Sequence, residues 1–274
     1  MKIESHLLDS STDSDKYAGS ALSRGVQILQ AFNVRQPELS AKALMEATGL
    51  PKATFFRLAN TLCAAGLLRY SEQTSRFGIA SGLLSIASNL IDRVSVRQLA
   101  FAQMQMLADH AKGQVALGLG SGLDLVYVEL AQAAVCASYR PALGSRISLS
   151  RTATGRAYLC ALAPEAAQQH VEAVTAADAQ AGALLKERLL EARQSIAERG
   201  FCESHGDLQR QLEAVAVSLR SAQSDEIYVF NCVVPAFNLA PNQLRDDIGP
   251  RLVTLARSIE AALGYTPETS NQWA

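Results

Sequence analysis

The chain has 274 residues, of which 49% are hydrophobic and 19% are charged, and its formal net charge is −1. This composition supplies enough apolar surface for two cores of ordinary size and excludes a chain that is disordered throughout. It also excludes a uniformly basic protein that binds nucleic acid over its whole surface. The charge is nevertheless uneven, because residues 20–80 contain seven Lys and Arg residues against three Asp and Glu residues. A basic N-terminal module on a more acidic body is typical of a protein that contacts DNA with one end.

The five cysteines are scattered and form no C-x-x-C pair; they are Cys63, Cys136, Cys160, Cys202 and Cys232. The sequence shows no secretory signal and no apolar run near the ~18 residues that a membrane-spanning helix needs. We therefore expect reduced thiols, a cytoplasmic location and no association with a membrane.

The chain begins with residues 1–19, which are rich in Ser and Asp and have no hydrophobic period, so they predict a disordered tail. Over residues 21–32, apolar residues recur at helical spacing and predict the first helix of an N-terminal domain. These residues are Leu22, Val26, Leu29 and Phe32. Arg24 falls on the polar side of the same helix.

Residues 39–62 predict two short helices joined by a tight turn. Ser40 is placed to cap the first helix, and Gly49 supplies the left-handed residue that ends it. Pro51 fits the first turn of the second helix, where an N–H group would have no partner. The pattern is typical of a helix-turn-helix, although an ordinary helical hairpin has the same outline.

The second of these helices has one apolar face and one polar, cationic face. Phe55, Leu58 and Leu62 fall on the first face, which predicts that this face is core. A short helix with a packed back and a cationic front fits the major groove of DNA.

Gly66 breaks the second helix, and the segments LLRY and RFGI then predict two strands around a polar turn. Arg69 and Arg76 flank that turn, where the wing of a winged helix-turn-helix meets phosphate or the minor groove. The candidate DNA contacts are therefore Arg24, Ser40, Lys52, Ala53, Thr54, Phe56, Arg57, Asn60, Arg69 and Arg76.

Residues 81–93 predict a linker helix with two adjacent apolar stripes. Such a helix packs against a partner subunit or against the N-terminal helix of its own chain. A simple interdomain helix remains the alternative.

The rest of the chain predicts an α+β domain in which helices flank an antiparallel sheet. A long helix over residues 94–111 has Leu99, Met104, Leu107 and Ala108 as its core positions. Alternating segments then predict strands over residues 114–120, 125–130, 134–139, 213–219 and 227–234. Helices are predicted over residues 153–162, from Pro164, over 184–198 and over 241–263.

Several segments together make the chain resemble the IclR (isocitrate lyase regulator) family of bacterial transcriptional regulators over about residues 20–265. The N-terminal segments are ALSRGVQIL, ATGLPKATFFRLANTL and AAGLLRY followed by RFGI. The C-terminal segments are LVYVEL, GSRISLSRTATGRAYLCAL and ERGFCES followed by EAVAVSL. The family commonly has Ser where this chain has Ala53, and a segment of small residues where this chain reads FNCVVPAF.

After the predicted tail over residues 1–19, the resemblance implies a winged helix-turn-helix over 20–80, a linker helix over 81–93 and an effector-binding domain over 94–266. That last domain would have a GAF-like or profilin-like antiparallel sheet with flanking helices. The resemblance also implies a homodimer or homotetramer that binds double-stranded DNA at a near-palindromic operator. A small-molecule effector would control genes of a catabolic pathway.

The effector pocket that the resemblance implies consists of Arg146, Thr152, Ala153, Thr154, His205, Ala214, Asn231 and Val233. N–H groups at the start of the helix at Ala153 favour an anion there. His205 and Asn231 would orient the ligand, and Val233 would supply an apolar wall. This chemistry predicts an organic acid, and Phe230 and Val233 suggest an apolar or aromatic body.

The arginines that surround this segment allow two interpretations; they are Arg140, Arg146, Arg151 and Arg156. They form a solvated charged face, or one or two of them turn inward to bind an anion. The resemblance places Arg146 at the pocket mouth.

Other sites receive less support from the sequence. Gly118, Gly120 and Gly122 superficially resemble a glycine-rich phosphate-binding loop. They lie at a predicted hairpin rather than between a strand and a helix, and their spacing differs from that of such loops. Cys202 and His205 lack a second pair of ligands for zinc. We expect no metal, no cofactor and no catalytic residues, because the sequence has no Ser/His/Asp order and no paired carboxylates at a strand end.

An alternative function is a GAF-like small-molecule-binding protein or enzyme that uses its winged helix only for protein interaction. Lys52 and Arg57 argue against that alternative, because a docking module predicts a neutral recognition face.

Overall fold

The computed structural model describes residues 20–33, 36–93, 95–121, 124–136, 141–220 and 226–263, without the side chains of residues 89–95 and 121–124. The chain divides into two compact units, Met1–Arg93 and Val94–Ala274. The tail predicted for residues 1–19 and the side chain of Arg140 lie outside the described residues.

The N-terminal unit contains the predicted helix-turn-helix. Its helices are α1 (Ala21–Gln30), α2 (Ala41–Thr48) and α3 (Lys52–Ala64). The Ser40 hydroxyl accepts a hydrogen bond from the Ala43 N–H at 3.2 Å and so caps α2. Gly49 ends α2 with a φ of +66°, and α3 begins directly after Pro51. The capping and turn residues therefore act as the sequence predicts.

A small antiparallel sheet completes this unit, with the strand order β1–β3–β2. Its strands are β1 (Glu38–Ser40), β2 (Leu68–Ser71) and β3 (Arg76–Ile79). Strands β2 and β3 form the predicted wing, whereas β1 is too short to show a strand period. Phe55 of α3 packs edge-on against Phe77 of β3, with 5.7 Å between ring centroids. This contact joins the second helix of the motif to the wing.

The inward face of α1 differs from the prediction. Leu22 and Val26 are 79% and 41% exposed, whereas Gly25 and Ile28 are buried. The apolar residues of α1 form two adjacent stripes, and the periodicity alone does not distinguish the stripe that meets α2 and α3. Helix α4 (Gly82–Arg93) corresponds to the predicted linker helix.

The C-terminal unit contains a five-stranded antiparallel sheet with the order β5–β4–β8–β7–β6. Its strands are β4 (Gln114–Ser121), β5 (Asp124–Gln132), β6 (Cys202–His205), β7 (Leu212–Arg220) and β8 (Ile227–Pro235). Its α-helices are α5 (Ser95–Ala111), α6 (Ala153–Ala161), α7 (Pro164–Ala177), α8 (Ala179–Arg199) and α9 (Gly249–Ala262). A 3₁₀ turn (Ala236–Asn238) and a π-helix (Leu244–Ile248) precede α9.

Three details of this unit correct the prediction. Residues 134–136 form a turn rather than a strand, and residues 137–139 lie outside the described part of the chain. The unpredicted strand is β6, which has only four residues. In α5, Leu99 is 46% exposed, and the buried stripe runs instead through Val96, Ala100 and Met104.

The sheet separates two hydrophobic cores, because side chains alternate between its faces along each strand. Phe230 and Cys232 enter the core beneath α5 and α9. Val229 and Ala216 enter the core beneath α6, α7 and α8. The second face carries the polar residues of the site described below.

Gly120 allows α6 to approach the sheet closely. A Cβ atom at Gly120 would lie 1.9 Å from the ring of Tyr158. Any larger residue at this position would therefore force the ring or the helix to move away from the sheet. The glycines of β4 therefore serve helix–sheet packing rather than a phosphate-binding loop. Within the part of the chain that the structure describes, no helix combines the length and apolar composition needed to cross a membrane.

His170 on α7 gives the stability of this unit a pH dependence. Its side chain is 6% exposed and packs edge-on against Tyr158, with 5.8 Å between ring centroids. Burial lowers the pKa of His170 below its usual 6.5, so the unfolded chain binds this proton at a higher pH than the folded chain does.

We predict that the free energy of unfolding falls as the pH drops below 6.5, the usual pKa of a histidine. His170→Leu should weaken this dependence, because the titrating group is removed from both states. Urea denaturation midpoints at about pH 7.5 and about pH 5.5 measure the effect. If the urea midpoint falls equally between the two pH values in the unmodified chain and in His170→Leu, the assignment to His170 is contradicted.

Candidate nucleic-acid interface and ligand pocket

Helix α3 has the buried back and polar front that the sequence predicts. Phe55, Leu58 and Ala59 are buried on one side. Five of the candidate contacts on the other side are exposed, namely Lys52, Ala53, Phe56, Arg57 and Asn60. The sixth, Thr54, is half-buried. Phe56 is 37% exposed and contacts the ring of Phe55, with 5.2 Å between centroids.

The arginines of the wing are held by β1. Arg69 forms an ion pair with Glu38, with 2.6 Å between Nη2 and Oε1. Arg76 donates from Nη1 to the Glu38 carbonyl oxygen at 3.3 Å. These contacts fix both side chains beside the strands rather than at the tip of the turn, so a phosphate would have to share them with Glu38.

The remaining candidates of this unit have structural contacts as well. Arg24 is half-buried on α1. The Ser40 hydroxyl oxygen already caps α2. Their proposed contacts with DNA therefore receive no support from these positions beyond partial exposure.

In the C-terminal unit, the start of α6 forms one wall of a small pocket. The Thr152 hydroxyl accepts from the Gly155 N–H at 2.9 Å and donates to the Ser148 carbonyl at 2.6 Å. Ala153 is fully buried, and its carbonyl accepts a hydrogen bond from the Cys202 thiol at 3.3 Å. Burial raises the pKa of the Cys202 thiol to about 12, so Cys202 is a structural residue.

The pocket is small, with a cavity volume of about 20 Å³, which is room for about one water molecule. Its lining residues are Tyr127, Arg151, Thr152, Thr154, Ser204, Leu208, Leu212, Ala214, Asn231 and Val233. The sequence predicts five of them: Thr152, Thr154, Ala214, Asn231 and Val233. Ser204 and Tyr127 show no signal in the sequence, because each is an ordinary strand residue until the register of the sheet is known.

The floor of the pocket is a buried hydrogen-bonded group. Asn231 donates from Nδ2 to the Thr154 hydroxyl at 2.8 Å and to the Tyr127 hydroxyl at 3.3 Å. The Oδ1 atom of Asn231 is buried and has no partner among the described residues. An unpaired buried acceptor costs about 1–3 kcal/mol, which makes this atom a natural contact for a bound molecule.

His205 does not belong to this pocket, which corrects the prediction. It follows Ser204 on β6, so its side chain points to the opposite face of the sheet. There, it is 62% exposed and lies 2.5 Å from Glu213, measured from Nδ1 to Oε2. Ser204 takes the inward position instead.

The arginines near α6 have separate positions. Arg146 is exposed and does not line the pocket; its backbone bridges to Val126 of β5. Arg151 is exposed at the mouth of the pocket. Arg156 turns inward, and its partner is Asp207, with 3.0 Å between Nη1 and Oδ2.

The buried Arg156 ties the loop after β6 to α6. Its guanidinium also donates to the carbonyls of Ser150 and Glu203, at 3.2 and 3.1 Å. The Ser204 hydroxyl donates to the same Asp207 oxygen at 3.1 Å. These bonds fix one wall of the pocket. No cluster of three metal-binding side chains occurs among the described residues.

Two family models match this chain. The IclR helix-turn-helix domain matches residues 21–72, and the bacterial transcriptional regulator IclR C-terminal model matches residues 88–261. A curated relative is the HTH-type transcriptional regulator TsaQ1/TsaQ2 of Comamonas testosteroni. It is 26% identical over 245 residues, which are 89% of this chain and 88% of the relative.

Solved structures show the same fold. An IclR family transcriptional regulator from Brucella abortus has a TM-score of 0.78 and 31% identity, covering 88% of this chain and 91% of that chain. An IclR homolog complexed with 4-hydroxybenzoate, from Microbacterium hydrocarbonoxydans, has a TM-score of 0.70 and 19% identity, covering 90% of this chain and 100% of that chain. This chain therefore belongs to the IclR family of bacterial transcriptional regulators.

Proposed function

We propose that this chain binds double-stranded DNA through α3 and the wing, and that a small organic acid of a catabolic pathway controls this binding. The observation that carries the proposal of an effector is the small pocket, whose buried floor includes an Asn231 acceptor with no partner among the described residues. The complex of an IclR homolog with 4-hydroxybenzoate supports an aromatic acid as one candidate.

The exposed face of α3 has cations that no acidic group neutralises within the described residues. Lys52 lies in the first turn and Arg57 in the middle of the helix, and both are exposed. Arg69, in contrast, is already paired with Glu38. We therefore assign phosphate contact to Lys52 and a base contact to Arg57, whose planar fork matches the acceptors of guanine.

The proposed effector would place its acidic end towards the mouth of the pocket. Arg151 supplies a positive charge there, and the start of the nine-residue helix α6 favours an anion. Leu212 and Val233 would contact the apolar body. Because the cavity holds about one water molecule, the effector must displace a wall, and the exposed Arg151 and the 37% exposed Leu208 are the side chains that can move.

We expect steep salt dependence of DNA binding, since neutralised phosphates release counterions. Arg57→Ala should reduce the discrimination between bases at one position of the operator by about 1–3 kcal/mol. Lys52→Ala should weaken binding to all DNA sequences equally and reduce the slope of log affinity against log salt concentration by about 1. Fluorescence anisotropy with upstream DNA fragments at several salt concentrations measures both effects. Lys186→Ala, an exposed cation on α8, is the control for net charge. Equal effects of Lys186→Ala and Arg57→Ala would refute the assignment to α3.

We also propose a homodimer, or a homotetramer built from such dimers, with two copies of α3 related by a two-fold axis. Its operator should be a near-palindrome with half-sites about one helical turn, or a multiple, apart. Sedimentation velocity and footprinting test this prediction. A monomer that binds one half-site with the full affinity would contradict it.

Thr154→Val should abolish the effect of the acid on DNA binding, because it removes the hydroxyl that holds Asn231 in place. DNA affinity without the acid should be retained. His205→Ala is the matched control, since that side chain is exposed on the other face of the sheet. The measurement is the half-saturating concentration of an acid found by thermal-shift screening. An unchanged value for Thr154→Val would remove Thr154 from the site.

A further inference from the structure

The face of the sheet beneath α6 has a second buried amide without a partner. Gln114 is 2% exposed, and neither its Oε1 nor its Nε2 atom has a hydrogen-bond partner among the described residues. A buried amide with both ends unpaired is rare in folded proteins. The described part of the chain supplies no hydrogen-bond partner that explains why Gln114 is buried.

The register of the sheet places Gln114 next to the pocket. Gln114 pairs with Val233 across β4 and β8, and Ala116 pairs with Asn231. Gln114 and Ala116 lie on the same face of β4, since they are two residues apart. Gln114 is thus the diagonal neighbour of Asn231, on the order of 7–8 Å away between Cα atoms. Val233 lines the pocket, pairs directly with Gln114 and stands two residues from Asn231 on the same face of β8, whereas Gln114 itself is not among the lining residues.

The hydrogen bonds that Asn231 already forms determine which kind of group can bind to its Oδ1 atom. Both hydrogens of Nδ2 are directed at hydroxyl oxygens, those of Thr154 and Tyr127. The remaining Oδ1 can only accept, so its partner must be a donor. A carboxylate has no hydrogen to donate, and the acidic end of a ligand therefore does not fit this position. A hydroxyl group fits it, because it donates to Asn231 and can accept from a neighbouring amide.

We propose that Asn231 and Gln114 determine specificity by hydrogen-bonding a neutral hydroxyl group on the effector, at the end opposite its carboxylate. This inference rests on the proposed function, and it narrows the effector to a hydroxylated organic acid. The exposed Arg151 remains for the acidic end at the mouth of the pocket. The acid without the hydroxyl leaves both amides unpaired and is rejected, as in other sites built around a ligand hydroxyl.

The test compares pairs of acids that differ by one hydroxyl, namely 4-hydroxybenzoate with benzoate and 3-hydroxybutyrate with butyrate. Isothermal titration of the full chain should show, in at least one pair, tighter binding of the hydroxylated member by about tenfold or more. Gln114→Met and Asn231→Leu should bring this ratio close to one. A residue with only a structural role would weaken both members of a pair equally and leave the ratio unchanged.

The stability of the ligand-free variants gives a second readout. Gln114→Met should leave the melting temperature unchanged or raise it, because an unpaired buried amide is replaced by an apolar side chain of similar length. Gln132→Met is the matched control, since Gln132 faces Gln114 across β4 and β5 and its amide donates to the Cys136 carbonyl at 2.7 Å. Gln132→Met should lower the melting temperature and leave the hydroxyl ratio unchanged.

The proposal is overturned if no hydroxylated acid binds more tightly than its parent, including the case in which no acid of the panel binds. It is also overturned if the ratio persists in both Gln114→Met and Asn231→Leu, or if Gln114→Met destabilises the chain as much as Gln132→Met. Salt-sensitive binding to upstream DNA is measured separately. If that binding is present, the regulator function stands and only the hydroxyl specificity fails.

Discussion

Strand β8 is buried along its whole length, from Ile227 to Pro235, because helices cover both faces of the sheet. Its side chains alternate between two cores, so Phe230 and Cys232 pack on one side while Asn231 enters the other. A polar group at such a position cannot reach bulk water, and it must bond to the protein or to a bound molecule. The chemistry of the pocket is therefore set by the few polar residues that this alternation directs inward.

A buried ion pair supports the same face. Arg156 is 1% exposed, and its bonds to Asp207 and to two carbonyl groups hold the loop after β6 against α6. Removing one partner of such a pair costs about 3–5 kcal/mol, because the other charge is left buried. The wall near Asp207 is therefore rigid, whereas Arg151 at the mouth is exposed. The two walls of the pocket therefore differ: buried bonds hold the one at Asp207, whereas the one at Arg151 is exposed.

The sequence predicts the helix-turn-helix well, because its signals are local: Ser40 and Gly49 act within one turn of their own positions. Through the family resemblance, the sequence also predicts that Thr154 and Asn231 line the pocket. It places His205 wrongly, since a strand of four residues shows no period from which its faces can be assigned. Gln114 and Tyr127 could not be found at all, because their places in the site depend on pairing between strands far apart in the chain.

The unpaired acceptor on Asn231 bears on how a ligand could shift this chain between two states. A ligand shifts an equilibrium only by the difference between its affinities for the two states. In this structure, the Oδ1 atom of Asn231 and the amide of Gln114 are buried without a hydrogen-bond partner among the described residues. Each costs about 1–3 kcal/mol, which offsets part of the free energy needed to open the pocket. Under the proposed function, a ligand would form hydrogen bonds with these atoms only after the pocket has opened. Its binding energy would then favour the open conformation over the one described here.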